Sequence, residues 1–284
     1  MKQELVRINS IDWIEQPGIL YTPDRSTNKI VIHVHWLNGN FYENRFLDIL
    51  AESYTEKNYA FITFNNRGRE FITELIKWND FVVIGWCLER FKDCILDIQG
   101  VVNWVKSQWF EKIILEWHSY WCNKVLYYYN NTKDDCIKKI VLLAPCDIPA
   151  ETKKFLSKEE YEKAKNKSTK LVNENKENEL IDFSAMANWK IAAWTFYYDF
   201  LPNWENDFIK YSEDTKSEIL NNIEIPVLVV FGDSDECVLT QPVEIVEEYL
   251  SNNLKNCNIQ IIKWANHWYN WKFSELKKII SNTF

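Results

Sequence analysis

The stretch 113-IILEWHSYWCNK-124 decides how the rest of the chain is read. Residues 113–116 continue an apolar run, Ser119 follows at a break, and an apolar-periodic segment begins after it. This is the pattern of a strand, a sharp turn and a helix. A serine on such a turn is placed to act as a nucleophile, and the turn asks for glycine two residues before and two after it. Both positions are tryptophan here, Trp117 and Trp121.

Working outward, "ELVRIN" and "IEQPGILYTP" read as two early strands joined through Asp12-Trp13, where Asp-Gly would make a natural hairpin turn. "KIVIHVHW" (29–36) is a short apolar run expected for a strand buried on both faces. "FYENRFLDILAESYTEKN" has helical spacing, "YAFITFNN" is a strand, and "LERFKDCILDIQGVVNWVKSQ" is a helix with Phe91, Ile95, Ile98, Val102 and Val105 on one face. "EKIILE" precedes the Ser119 turn, and "YWCNKVLYYYNN" and "IKKIVLLAP" read as a helix and a strand. The stretch "SKEEYEKAKNKSTKLVNENKENEL" is a solvated helix by its charge pairs, set between core strands like an inserted cap. "IPVLVVFGDSDE", "PVEIVEEYLSN", "CNIQIIKWANH" and "FSELKKIISNTF" then alternate strand and helix. The expected fold class is α/β, a mostly parallel sheet with helices on both faces and a helical cap. Residues 1–146 and 212–284 would form the core and 147–211 the cap.

Composition narrows the function. With 46% hydrophobic and 26% charged residues, the 284-residue chain can bury a large core as a soluble protein. A net charge of −8 argues against a nucleic-acid partner. The first residues lack the apolar core of a secretory signal, and no window suits a transmembrane helix, so a cytoplasmic protein without a membrane partner is expected. Seven cysteines without C-x-x-C spacing fit reduced thiols better than a disulfide frame or a zinc site.

A serine hydroxyl needs a base to take its proton and a third group to orient that base. Asp235 follows the strand "VLVVF", and His267 follows the strand "IQIIK". Both therefore lie at strand C-terminal ends, where open α/β sheets build their sites. His267 is the sole histidine after Ser119 among the four in the chain. Asp233 is the runner-up acid, with Asp235 favoured because it lies beyond the turn. Tyr120 and Leu37 are the expected backbone N–H donors of an oxyanion hole. His33 and His35 read as strand filling, or as loop bracing for His35, in preference to a metal role.

"HVHWLNGNFYEN", "LEWHSYW", "FGDSDE" and "WANHWY" together resemble the oxyanion loop, nucleophile elbow, acid turn and histidine loop of the α/β-hydrolase superfamily, over nearly the whole length. "LLAPCDIP" followed by a charged segment resembles a branch related to fungal siderophore esterases. The resemblance implies a hydrolase acting on a small-molecule ester or amide without metal or organic cofactor, through Ser119, Asp235 and His267. A non-catalytic ligand-binding protein on the same scaffold, or a peptidase or thioesterase, is the alternative.

The departures from the superfamily pattern share one form. Trp stands at expected glycine positions at Trp36, Trp117, Trp121, Trp264 and Trp268, and at the turn-like Trp13, Trp78, Trp86, Trp109, Trp189 and Trp204. Trp104, on a helix, reads as genuine, and Trp194 and Trp271 stay open. The 6 glycines and 14 tryptophans together match the roughly 20 glycines that average usage gives a chain of this length. UGA encodes tryptophan in one variant genetic code and glycine in another. Genuine tryptophans in a degenerate, inactive hydrolase and an aromatic ligand cage are the alternatives, but translation of UGA glycines with the tryptophan table explains both the number and the positions, and UGG at codons 117 and 121 would refute it.

Overall fold

Apolar runs of the sequence become the centre of an eight-stranded sheet. The computed structural model describes residues 1–35, 39–183, 189–202, 207–213 and 215–284. The chain opens with β1 (Lys2–Asn9), β2 (Glu15–Thr22), β3 (Lys29–Val34), α1 (Phe46–Glu56) and β4 (Ala60–Phe64). A hairpin of β5 (Thr73–Lys77) and β6 (Asp80–Ile84) follows, then α2 (Cys94–Ser107), β7 (Lys112–His118), α3 (Cys122–Thr132) and β8 (Ile137–Leu143). Next come α4 (Ile148–Phe155), α5 (Lys158–Asn173), the strand pair β9 (Leu180–Phe183) and β10 (Trp189–Ala192), α6 (Ala193–Thr195) and α7 (Glu218–Asn221). The chain closes with β11 (Val227–Gly232), α8 (Val243–Asn253), β12 (Cys257–Ile262) and α9 (Phe273–Thr283).

The sheet order is β1-β2-β4-β3-β7-β8-β11-β12. β1 and β2 pair antiparallel, as do β2 and β4, and every later pairing is parallel. The central strands β3, β4, β7 and β11 are buried along almost their whole length, which is why they read as continuous apolar runs. Helices α2, α3 and α8 pack on one face through Ile98, Val102, Val125, Leu126, Val246 and Leu250. Helices α1 and α9 cover the other through Leu47, Leu50, Leu276 and Ile280. Among the described residues no helix is long and apolar enough to cross a membrane.

Between β8 and β11 the chain leaves the sheet. Its long helix α5 starts at a capping box, with Ser157 Oγ accepting from the Glu160 amide and the Glu160 carboxylate accepting from the Ser157 amide. Tyr161, Ala164, Ser168 and Leu171 form its buried stripe, and the lysines and glutamates face water. The charged run is therefore a helix over Lys158–Asn173, as its charge pairs predict, and it carries an apolar seam that those pairs do not announce. The β5–β6 hairpin is not foreseen by the sequence spacing.

Backbone conformation separates the tryptophans. Trp13, Trp78, Trp109, Trp264 and Trp271 have φ of 68°, 58°, 68°, 61° and 66°. A left-handed φ brings Cβ against the following carbonyl, at a cost of ~1–2 kcal/mol for an L-residue, and glycine avoids that cost. Trp109, Trp264 and Trp271 are 86%, 79% and 95% exposed, so their indoles gain little packing in return. Trp271, left open by the sequence, thus joins the strained group, and Trp104 lies inside regular helix α2. Trp86, Trp117 and Trp121 are instead completely enclosed. Trp36 and Trp204 lie outside the described residues.

Candidate active site

Ser119 stands directly after β7, in a backbone conformation of φ 66°. The residues 119–121 form a tight 3-10 turn that runs straight into α3. A non-glycine residue held in the left-handed region needs its surroundings to enforce it, and such strain gathers at active sites. Here β7 is locked between β3 and β8, and α3 is packed on the sheet, so the turn between them has no freedom to relax. Ser119 is buried to 7% exposure.

Asp235 and His267 meet at the same end of the sheet. His267 Nδ1 lies 2.9 Å from Asp235 Oδ2 and 3.1 Å from Oδ1. The carboxylate is held from behind, with Oδ1 accepting from the amides of Cys237 and Val238 at 2.9 and 3.0 Å. Both residues are buried, so the pair keeps its geometry away from competing water. Asp233 does a different job: its Oδ1 accepts from the Trp264 amide at 2.6 Å and from Ser234 Oγ at 3.1 Å, bracing the histidine loop. Gly232 allows the two loops to meet, because a Cβ there would lie 2.2 Å from the Ala265 carbonyl oxygen.

His118 links the serine turn to the histidine loop. Burial holds its imidazole well below the ordinary histidine range, so it is neutral. Its Nε2 donates to the His267 carbonyl at 2.9 Å, and the two rings are 4.6 Å apart. The residue before Ser119 is thereby tied to the loop that carries the His267 ring. Among the described residues no hydrogen bond joins the serine hydroxyl to that ring. Such bonds are often long before substrate binds and tighten in the Michaelis complex.

The remaining expected residues fall as follows. Tyr120 is the first residue after Ser119 within the turn, where its amide belongs to the same strained segment. Leu37 lies outside the described residues. His33 is enclosed in β3 with Nδ1 2.8 Å from Glu116 Oε1, and His35 Nε2 accepts from the Asn66 amide at 3.3 Å. Filling and bracing describe these two histidines. Asp235, Cys237 and His267 bring three possible metal-ligand atoms within 4.8 Å of one another. The Nδ1–carboxylate contact already occupies two of those donors as a hydrogen bond. All seven cysteines are free thiols.

The indoles flanking the serine are poorly accommodated as polar groups. Trp117 Nε1 finds the His35 carbonyl at 3.1 Å. Trp121 Nε1 and Trp86 Nε1 are buried with no partner among the described residues. A buried N–H without an acceptor costs ~1–3 kcal/mol, and buried tryptophans ordinarily find one.

Glu151 escaped the sequence reading. It sits in the first turn of α4, and its carboxyl faces His267, Asp235 and the Cys146 thiol, with Oε2 enclosed and without a partner among the described residues. Burial lifts its pKa from 4.5 to about 7, against the opposing pull of His267. The folded state therefore binds a proton that the unfolded chain has lost above pH 4.5, so this contribution to stability is full below that pH and is lost as pH rises through about 7. Glu151→Gln is expected to shrink the fall in melting temperature between pH 4.5 and pH 7.5. Glu89 and Asp147, raised by burial to about 7 and about 6, act with the same sign, so part of the slope remains. An unchanged slope would show that Glu151 is not held protonated.

A family model described as "Protein of unknown function (DUF1749)" matches residues 80–282. No curated protein matches the chain. Among solved structures, Est1E from Butyrivibrio proteoclasticus with ferulic acid bound aligns over 98% of this chain and 97% of its own, at 19% identity and a TM-score of 0.70. The α/β hydrolase GrgF from Penicillium sp. sh18 aligns over 100% and 96%, at 13% identity and a TM-score of 0.68. An alpha-beta serine hydrolase homologue from Coxiella burnetii aligns over 100% and 98%, at 15% identity and a TM-score of 0.61.

Proposed function

We propose that this chain, which belongs to the DUF1749 family and has the α/β-hydrolase fold, is a serine hydrolase that cleaves a carboxylic ester through an acyl-enzyme. The observation that carries this reading is a left-handed Ser119 at the end of a central strand, preceded by His118, which hydrogen-bonds the backbone of His267 in a buried His267–Asp235 pair. Ser119 Oγ attacks the ester carbonyl carbon while His267 Nε2 takes its proton. Asp235 holds Nδ1–H, fixing the tautomer that leaves Nε2 free to accept. The tetrahedral oxyanion accepts from the Tyr120 amide and from that of Leu37. Collapse of the intermediate expels the alcohol, which leaves with the proton from His267. Water then attacks the acyl-serine with His267 again as base, releasing the acid and restoring Ser119.

The same reading divides the chain into a core of 1–146 and 212–284 and a cap of 147–211 that shapes the pocket. The cap segment reaches both halves of the site: Phe200 packs 5.6 Å from the Tyr120 ring, and Lys154 Nζ donates to the Glu236 carbonyl at 2.6 Å. The acting form carries glycine at 117 and 121 and at the strained turn positions. In that form strand and helix can close around the serine with no indole to house.

A fluorophosphonate probe tests the proposal on the full chain with glycine at the eleven positions from Trp13 to Trp268 named above as expected glycines, and at Trp271. Labelling of Ser119, located by peptide mass spectrometry, is the expected result. A folded glycine-bearing chain that takes no label would favour a non-catalytic binding protein on this scaffold.

A further inference from the structure

We infer that Glu151 is a positioning residue of the hydrolase centre, a second acid that joins Asp235 in holding the His267 imidazolium formed when Ser119 gives up its proton. The inference rests on the serine-hydrolase reading and adds a residue to that site. The start of α4 fixes where this carboxyl points. Asp147 caps the helix, its Oδ1 accepting from the Ala150 amide at 3.1 Å and its Oδ2 from the Tyr211 amide at 3.0 Å. Glu151 and Lys154, three residues apart, share one helix face. Lys154 Nζ donates to the carbonyls of Glu236 and Leu239 at 2.6 and 3.2 Å, so that face is laid on the loop that carries Asp235. Ile148, three residues before Glu151, is buried on the same side.

The groups that face the carboxyl come from separate segments of the site: Tyr120 from the serine turn, Cys146 after β8, Asp235 and Cys237 after β11, and His267 after β12. None of them stands at an exchanged tryptophan position. Most of them carry no charge near pH 7. Burial pushes the Tyr120 hydroxyl and the Cys146 thiol well above their ordinary ranges, and the Cys237 thiol up to about 12. His118, 4.6 Å from the His267 ring, is neutral as well. Lys154 is engaged with its two carbonyls, and Glu151 Oε2 is enclosed with no partner among the described residues. Burial pushes the Glu151 carboxyl up to about 7, and His267 is the strongest charge acting against that, ahead of Lys154. The cation this acid lacks is the one that catalysis makes. A fixed carboxylate facing a developing imidazolium stabilises it without reorganising, in acylation and in deacylation alike. Full activity then needs the proton off both groups of the pair, so removing the carboxyl moves the acid limb of the rate profile to lower pH.

The test compares the full-length glycine-bearing chain with its Glu151→Gln variant, which keeps the shape of the side chain and removes its charge. kcat/KM on phenyl acetate is followed from about pH 5 to about pH 9, in parallel with the rate of fluorophosphonate labelling. In Glu151→Gln the acid limb of both profiles is expected to move down by about one pH unit, the lower end of what a neighbouring opposite charge does. The plateau of kcat should fall about tenfold, the same interaction felt in the transition state, with KM nearly unchanged. An unmoved limb overturns the inference even where the rate falls, because a merely structural loss lowers the plateau and leaves the limb in place. If Glu151→Gln does not fold, Glu151→Met carries the same comparison with an uncharged side chain of similar length. Labelling separates the two failures: label with an unmoved limb sinks only the role of Glu151, and no label at any pH sinks the hydrolase reading together with it.

Discussion

Replacing Ser119 with alanine in the glycine-bearing chain is expected to lower kcat for ester hydrolysis by about a millionfold, and to abolish fluorophosphonate labelling. Without the hydroxyl no acyl-enzyme forms, and what activity remains comes from binding and the oxyanion donors alone. Asp235→Asn should also be damaging, at about ten-thousandfold, because an amide can present its N–H to Nδ1 and turn the imidazole to the wrong tautomer. Asp233→Asn supplies the contrast. Its carboxylate accepts from the Trp264 amide and Ser234 rather than from His267, so its loss should cost less than about tenfold and mostly through loop order. Steady-state kinetics on one ester decide the matter. If Asp233→Asn proves the more damaging of the two, the assignment of the acid is wrong.

The sheet that carries this arrangement is legible in the sequence. Central strands such as β4 and β11 are buried from end to end, so their apolar runs could hardly be anything else at that length. The Ser119 turn was readable despite its tryptophans because strand, break and helix survive the exchange. The β5–β6 hairpin was not: its residues are largely exposed, so no alternation marks them, and its turn carries Trp78 where a turn-forming residue would announce it. His118 and Glu151 were illegible for a different reason. Each matters through a contact with His267, separated from it by more than a hundred residues, and single-sequence spacing holds no record of such a meeting. Trp86 shows the limit from the other side. Its position in a turn was legible, while the aromatic enclosure around it is assembled from β9, the π-helical turn Phe196–Phe200 and the loop before β5.

Glycine at 109, 264 and 271 together is expected to raise Tm by about 3 °C, the converse of what triple loss of a large side chain normally does. Each of these tryptophans sits at φ between 61° and 68° with its indole in solvent. Relief of the left-handed Cβ clash returns ~1–2 kcal/mol per site. The greater freedom of glycine in the unfolded chain takes back ~0.5–1 kcal/mol. The net gain is therefore about 2 kcal/mol over three sites. The hydrogen bond from the residue 264 amide to Asp233 uses the backbone and survives the change. Alanine at the same three positions is the deciding control, since it removes the indole and keeps the Cβ. Calorimetry should find little or no gain with alanine; an equal gain would mean that the exposed indoles, and not the backbone, are the source of the instability. Trp104→Gly should move Tm the opposite way, because it places glycine in the interior of α2 and strips a side chain packed against the core, at ~1 kcal/mol or more. A chain in which glycine stabilises the turns and destabilises the helix is one whose backbone was built for glycine at those turns.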